Sequence, residues 1–258
     1  MNRTPPIDVR RQLRREVGFG CPVPECGSPY LYWHHFDPPW NEREHHNPAG
    51  MIALCGLHHP QADRGVFTVE QLREFKEMGA ERNQEVGARL EWMREDLLAV
   101  VGGNFYYSTP VPVRFRDTNV VAFTRDEQGR LLLETSMLST SRDPRMTIQE
   151  SFWLVRGNPI DLECPPNGRL VTADYANGDK LRVEFIPDLT PSTLAARYPD
   201  ANIGNWNWEQ LPRQLAAVEI QMRVGGTEIE FGPRETRLQG NIMRNCFSSH
   251  CGVGVQFG

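Results

Sequence analysis

The stretch WHHFDPPWNEREHHNPAGMIALCGLHHPQAD, residues 33–63, decides how this chain is read. The protein has 7 histidines, and all but His250 lie here as adjacent pairs: His34–His35, His45–His46 and His58–His59. Imidazoles bind transition metals and accept protons near neutral pH. The wider segment, residues 19–66, is rich in Pro, Gly and Asn and has few regular apolar runs. Such a segment buries little core by itself, so something else must hold it together. Its strand-like run is Met51–Leu54, and LHHPQAD (57–63) can open a short helix.

The cysteines supply the staple. Cys21-x4-Cys26 and Cys55-x2-His58 form two close pairs. Each pair suits two ligands of one tetrahedral Zn2+, through thiolates and a neutral imidazole. His34, His35 and His59 are left over. Neighbours in a strand or an early helical turn point in different directions, so His58 and His59 need not serve one site. The economical arrangement is a closed structural site beside an open catalytic one.

Cys21-x4-Cys26, then His34-His35-Phe36-Asp37-Pro38, then Leu54-Cys55-x2-His58-His59 resembles the HNH endonucleases, over roughly residues 15–66. The resemblance implies a ββα-metal hairpin and helix. It also implies a structural zinc on Cys21, Cys26, Cys55 and His58, with His58 standing where the family has a second cysteine. It makes His34 and His59 ligands of a catalytic Mg2+, Mn2+ or other divalent ion, and His35 the general base. Asp63, four residues after His59 and so on the same helical face, matches a further ligand of some members. The implied activity is hydrolysis of DNA phosphodiester bonds, leaving 5′-phosphate and 3′-hydroxyl ends. One position departs from the pattern. The family's middle asparagine falls here on Gly50, and Asn47 is the nearest residue able to orient the base from a hairpin loop of different length. His45 and His46 have no counterpart in the motif.

Upstream, residues 8–17 read as a short helix after Pro5–Pro6. Arg10, Arg11, Arg14 and Arg15 share one of its faces. That face is either solvated or in contact with DNA phosphates; a net charge of −5 argues against general electrostatic nucleic-acid binding but leaves room for a local basic face.

Downstream, Thr68-x-x-Gln71 fits a capping box. Val86, Leu90, Met93, Leu97 and Val100 then repeat at helical spacing, which predicts a helical connector over 67–101, bent or in two pieces. From residue 102 the chain turns into short β-rich runs punctuated by Asp126–Gly129, Asn167–Gly168 and Asn177–Gly178. Asn177–Gly178 between alternating runs predicts a hairpin.

The expected fold is thus α+β. It comprises a zinc-stapled ββα-metal domain with a basic N-terminal helix over 1–66, the connector, and an all-β domain over 102–258. The last is sandwich-like or a short solenoid, subdivided near 188–212, where the aromatic and amide cluster at 202–212 can be a ligand-binding loop. It is expected to sense a small-molecule or protein regulator, to target the nuclease, or to form a homo-oligomer. Such a layout suits a role in bacterial or phage defence or restriction, by analogy alone.

With 258 residues, 39% apolar and 24% charged, the chain can bury a core without disulfides, so its 6 cysteines read first as thiols or ligands. Cys246-x4-Cys251 and Cys164 read as ordinary thiols. No apolar run reaches membrane-spanning length and the start lacks a secretory apolar core, so the expected location is the cytoplasm. A second reading is a zinc-stapled module that binds nucleic acid or protein without cutting.

Overall fold

The computed structural model describes residues 2–82, 85–206, 211–212 and 215–258. The protein is mixed α+β, mostly strands with few helices. No described helix is long and apolar enough to cross a membrane. The chain forms two compact units: residues 1–88 with 154–171, and residues 89–153 with 172–258.

The first unit opens with α1 (Ile7–Glu16), followed by β1 (Leu31–His35), β2 (Met51–Cys55), α2 (His58–Asp63) and α3 (Val69–Arg82). β1 and β2 pair antiparallel, with Leu31 opposite Cys55 and His35 opposite Met51. Every residue of β2 is buried, in keeping with its unbroken apolar run. Leu13 and Val17 from the first helical segment, Leu31 and Phe36 from around β1, Met51–Cys55 and Leu72 of α3 form one core. Thr68 caps α3 as expected: Gln71 N–H donates to Thr68 Oγ1, and Thr68 N–H donates to Gln71 Oε1. Lys76, further along α3, donates to the carbonyls of Pro48 and Met51 and so ties the helix to the start of β2.

Two expectations fail in this region. The connector is helical only over α3; Val86–Arg89 and Leu98–Val101 are strands. Leu98–Val101 is buried at all four positions, pairing parallel with Ala217–Ile220 and antiparallel with Asn104–Tyr107. Its apolar residues are spaced by burial on both faces rather than by a helical turn. The boundaries also differ from 1–66, 67–101 and 102–258: α3 belongs to the first unit, and residues 154–171 return to it.

The second unit is largely strands. Val111–Phe115, Thr118–Arg125, Leu131–Ser136 and Thr147–Gln149 form an antiparallel meander, with Val253–Phe257 added parallel to the first. Lys180–Leu189 pairs antiparallel with Leu215–Arg223. The Asp126–Gly129 and Asn177–Gly178 turns form where the sequence puts them, each with its glycine at positive φ (81° and 89°). The second turn is held from inside. Asp179, 0% exposed, accepts hydrogen bonds from Arg145 Nε, Ser139 Oγ, Asn177 Nδ2 and Gly225 N–H. Residues 188–212 are not a bare linker. A helix, Pro191–Arg197, capped by Thr190, buries Leu194 in a core with Tyr198, Ile203 and Leu211. Within the 202–212 cluster, residues 207–210 lie outside the described residues.

Candidate metal centre

The first unit brings together the ligand atoms of Cys21, Cys26, Cys55 and His58, all within 4.8 Å of one another. Cys55 ends β2, and His58 follows at the start of α2. The spacing matches a tetrahedral ion. With Zn–S bonds of about 2.3 Å, two sulfurs stand about 3.8 Å apart and a sulfur and a nitrogen about 3.5 Å apart. Cys26 and Cys55 Sγ are 3.7 Å apart. His58 Nδ1 lies 3.3 Å from both Cys21 Sγ and Cys55 Sγ. This cluster could hold a metal ion such as zinc. Burial pushes the Cys21 and Cys26 thiols up and the His58 imidazole down from their ordinary values. The protein alone therefore keeps the thiols protonated, and a bound cation must displace those protons.

A second group converges beside it: His34, His59 and Asp63, again within 4.8 Å. His34 comes from β1, the other two from α2. His34 Nδ1 lies 3.1 Å from Asp63 Oδ1, and His59 Nδ1 lies 3.3 Å from Asp63 Oδ2. His59 directs Nε2 at the Trp33 carbonyl, 3.3 Å away. A neutral His59 that donates there keeps a lone pair on Nδ1, facing a carboxylate. Two such lone pairs repel unless a cation or a proton lies between them. Donors about 3 Å apart also fit neighbouring positions around a small divalent cation, whose bonds are about 2.1 Å long. Burial lowers the His34 pKa; Asp63 opposes the shift and the nearby His59 adds to it.

His35, the next residue along β1, is 3% exposed. Neither of its ring nitrogens meets hydrogen-bond geometry with a described partner. Trp40 packs on its ring at 4.7 Å, His45 meets it edge-on at 5.2 Å and His46 lies 5.8 Å away. Burial first, then the neighbouring His45 and His46, brings the His35 pKa down to about 4; the His45 main chain opposes this from outside hydrogen-bond geometry. His35 is thus a neutral imidazole at physiological pH.

Asn47 does not meet the His35 ring through its side chain. Its Oδ1 accepts from Ala49 N–H and caps the short turn Pro48–Gly50, while its main-chain N–H donates to His45 Nδ1. Gly50 has a steric reason. A Cβ there would stand 1.8 Å from the Asp37 carbonyl oxygen, so no asparagine fits. His45 and His46, without a role in the motif, turn out to wall His35; their position beside Asn47 was the one sequence hint.

The α1 arginines separate. Arg14 is 3% exposed and donates through Nε and Nη2 to the two oxygens of Asp161, and Arg11 Nε joins them. The expectation of four arginines on one phosphate-facing surface fails for Arg14, whose charge is buried against a carboxylate. Arg15 is exposed and Arg10 half-buried. Comparison with protein-family models, curated proteins and solved structures gives no match to this chain.

Proposed function

We propose that this chain is a metal-dependent endonuclease of the HNH type, hydrolysing DNA phosphodiester bonds. The observation that carries the reading is the convergence of His34, His59 and Asp63 next to a buried, neutral His35. In this reading β1, β2 and α2 are the ββα-metal motif, and Cys21, Cys26, Cys55 and His58 hold a structural zinc. His34, His59 and Asp63 hold Mg2+, Mn2+ or another divalent ion.

Bound there, such a cation offsets charge on the phosphate and steadies the leaving oxygen. His35 takes the proton of the attacking water. Its neutral form offers a lone pair, and its buried setting keeps it from being protonated beforehand. The low pKa makes it a weaker base than a free histidine, so positioning supplies more of its effect. Arg15, exposed on α1, would be the phosphate contact of that helix. The second unit senses a regulator, selects the target or joins copies of the chain.

The test is plasmid cleavage with Mg2+ or Mn2+. Wild type nicks DNA, and His35→Ala loses about 10²- to 10⁴-fold in rate, the usual contribution of a general base. A wild type that never nicks under any divalent ion, or a His35→Ala variant that cuts as fast, overturns the reading. One tightly held zinc with no second ion in the presence of DNA would instead favour a non-cutting binding module.

A further inference from the structure

Among the described residues no partner meets full hydrogen-bond geometry at either His35 ring nitrogen, and the main chain that acts on the ring as an acceptor is that of His45. Its orientation rests on packing and on the His45 main chain, so the rigidity of its neighbours matters. Trp40 touches one part of the ring and is itself stacked on His46, 5.4 Å away. The other neighbour, His45, is 8% exposed and is locked by two hydrogen bonds. Asn47 N–H donates to its Nδ1 at 3.1 Å, which leaves the ring proton on Nε2. That Nε2 donates to the Pro38 carbonyl at 2.9 Å.

One imidazole therefore joins two points of the loop that leaves β1 and enters β2. The loop has little slack elsewhere. Phe36 and Asp37 N–H both donate to the Gly50 carbonyl, and a Cβ at Gly50 would come within 3.1 Å of His45 Cε1. The locked ring then stands perpendicular to the His35 ring, at 89° and 5.2 Å.

We propose that His45 is a positioning residue for His35. It clasps the 36–50 loop through the Pro38 carbonyl and the Asn47 amide, and it fixes the His35 ring by edge contact, without itself touching DNA or metal. The inference rests on reading His35 as the general base. A loosely held base loses rate steeply, since a displacement of about 1 Å can cost about 10²-fold.

The experiment uses the full chain and three variants, His45→Ala, His45→Asn and His45→Gln. A glutamine amide nitrogen can reach the Pro38 carbonyl from where Nε2 sits; an asparagine amide cannot. Cleavage kinetics, bound zinc and side-chain ¹⁵N spectra of His35 are read together. His45→Ala and His45→Asn are expected to lower kcat about 10- to 100-fold with KM within about 2-fold. Zinc content should stay at the wild-type level, and the His35 ring signals should broaden. His45→Gln should restore most of kcat and a sharp His35 signal. Equal behaviour of Gln and Asn, or an unchanged His35 signal in His45→Ala, overturns the proposal. If His45→Ala loses zinc and fails to fold, the Asn and Gln pair decides. If the wild type does not cut DNA, the endonuclease reading fails, and the ¹⁵N spectra alone decide whether His45 positions His35.

Discussion

Gly50 and His35 show how single residues carry this site. At Gly50 the carbonyl of Asp37 occupies the space a side chain needs. Gly50→Ala is expected to destabilise the protein by about 1–3 kcal/mol, as overpacking a close contact does. Urea unfolding checks this; an unchanged midpoint would mean that the 36–50 loop shifts freely. The residues that cluster as candidate metal ligands were legible because thiolates, imidazoles and carboxylates must come from particular residue types at particular spacings. His45 was not, since it works through the main-chain carbonyl of Pro38, and carbonyls leave no trace in a sequence. Arg14 was misassigned because its partner, Asp161, lies 147 positions away.

At the level of elements, the Tyr175–Asp179 turn shows a charge used for shape. Burial by itself would raise the Asp179 pKa. Hydrogen bonds from Ser139, Arg145, Asn177 and the Gly225 amide outweigh burial and lower it. The folded pKa thus lies below the unfolded value of about 3.9. The stabilisation is full above that value and is lost as the pH falls through the folded pKa, where the unfolded chain binds the extra proton. Asp179→Ala is expected to cost about 3–5 kcal/mol near pH 7, because Arg145 is left buried without its partner. The gap between wild type and variant should begin to narrow as the pH falls below about 4 in denaturation curves. Hairpin turns were readable here because Asn-Gly and the Asp126–Gly129 run need particular backbone angles, which only some residues adopt. The strands at Val86–Arg89 and Leu98–Val101 were misread as helix because two short apolar runs a few residues apart imitate a helical stripe.

For the whole molecule, the two units have cores of different origin. The first packs around residues contiguous with the Cys21, Cys26, Cys55 and His58 cluster, and the second around strands and the Pro191–Arg197 helix, remote from it in sequence. Chelation of metal at neutral pH is therefore expected to melt the first unit while the strand signal of the second survives in circular dichroism. A single cooperative loss of all structure would contradict this. Domain order along the chain was only partly legible: composition changes near residue 102, but no composition marks 154–171 as belonging with the N-terminus.

That return has a consequence for synthesis. Arg14 leaves the ribosome well before Asp161, which neutralises it and follows 147 residues later. Until then the first 88 residues lack both the segment that packs against α1 and the carboxylate that Arg14 bonds. The first unit cannot complete its packing before residues 154–171 are made, so a translation product stopped at residue 100 is expected to be less stable and readily proteolysed. Limited proteolysis of chains ended at 100 and at 171 would show it, with residues 1–88 protected only in the longer one. Folding order thus holds back the Cys/His-rich unit until a segment made much later has emerged.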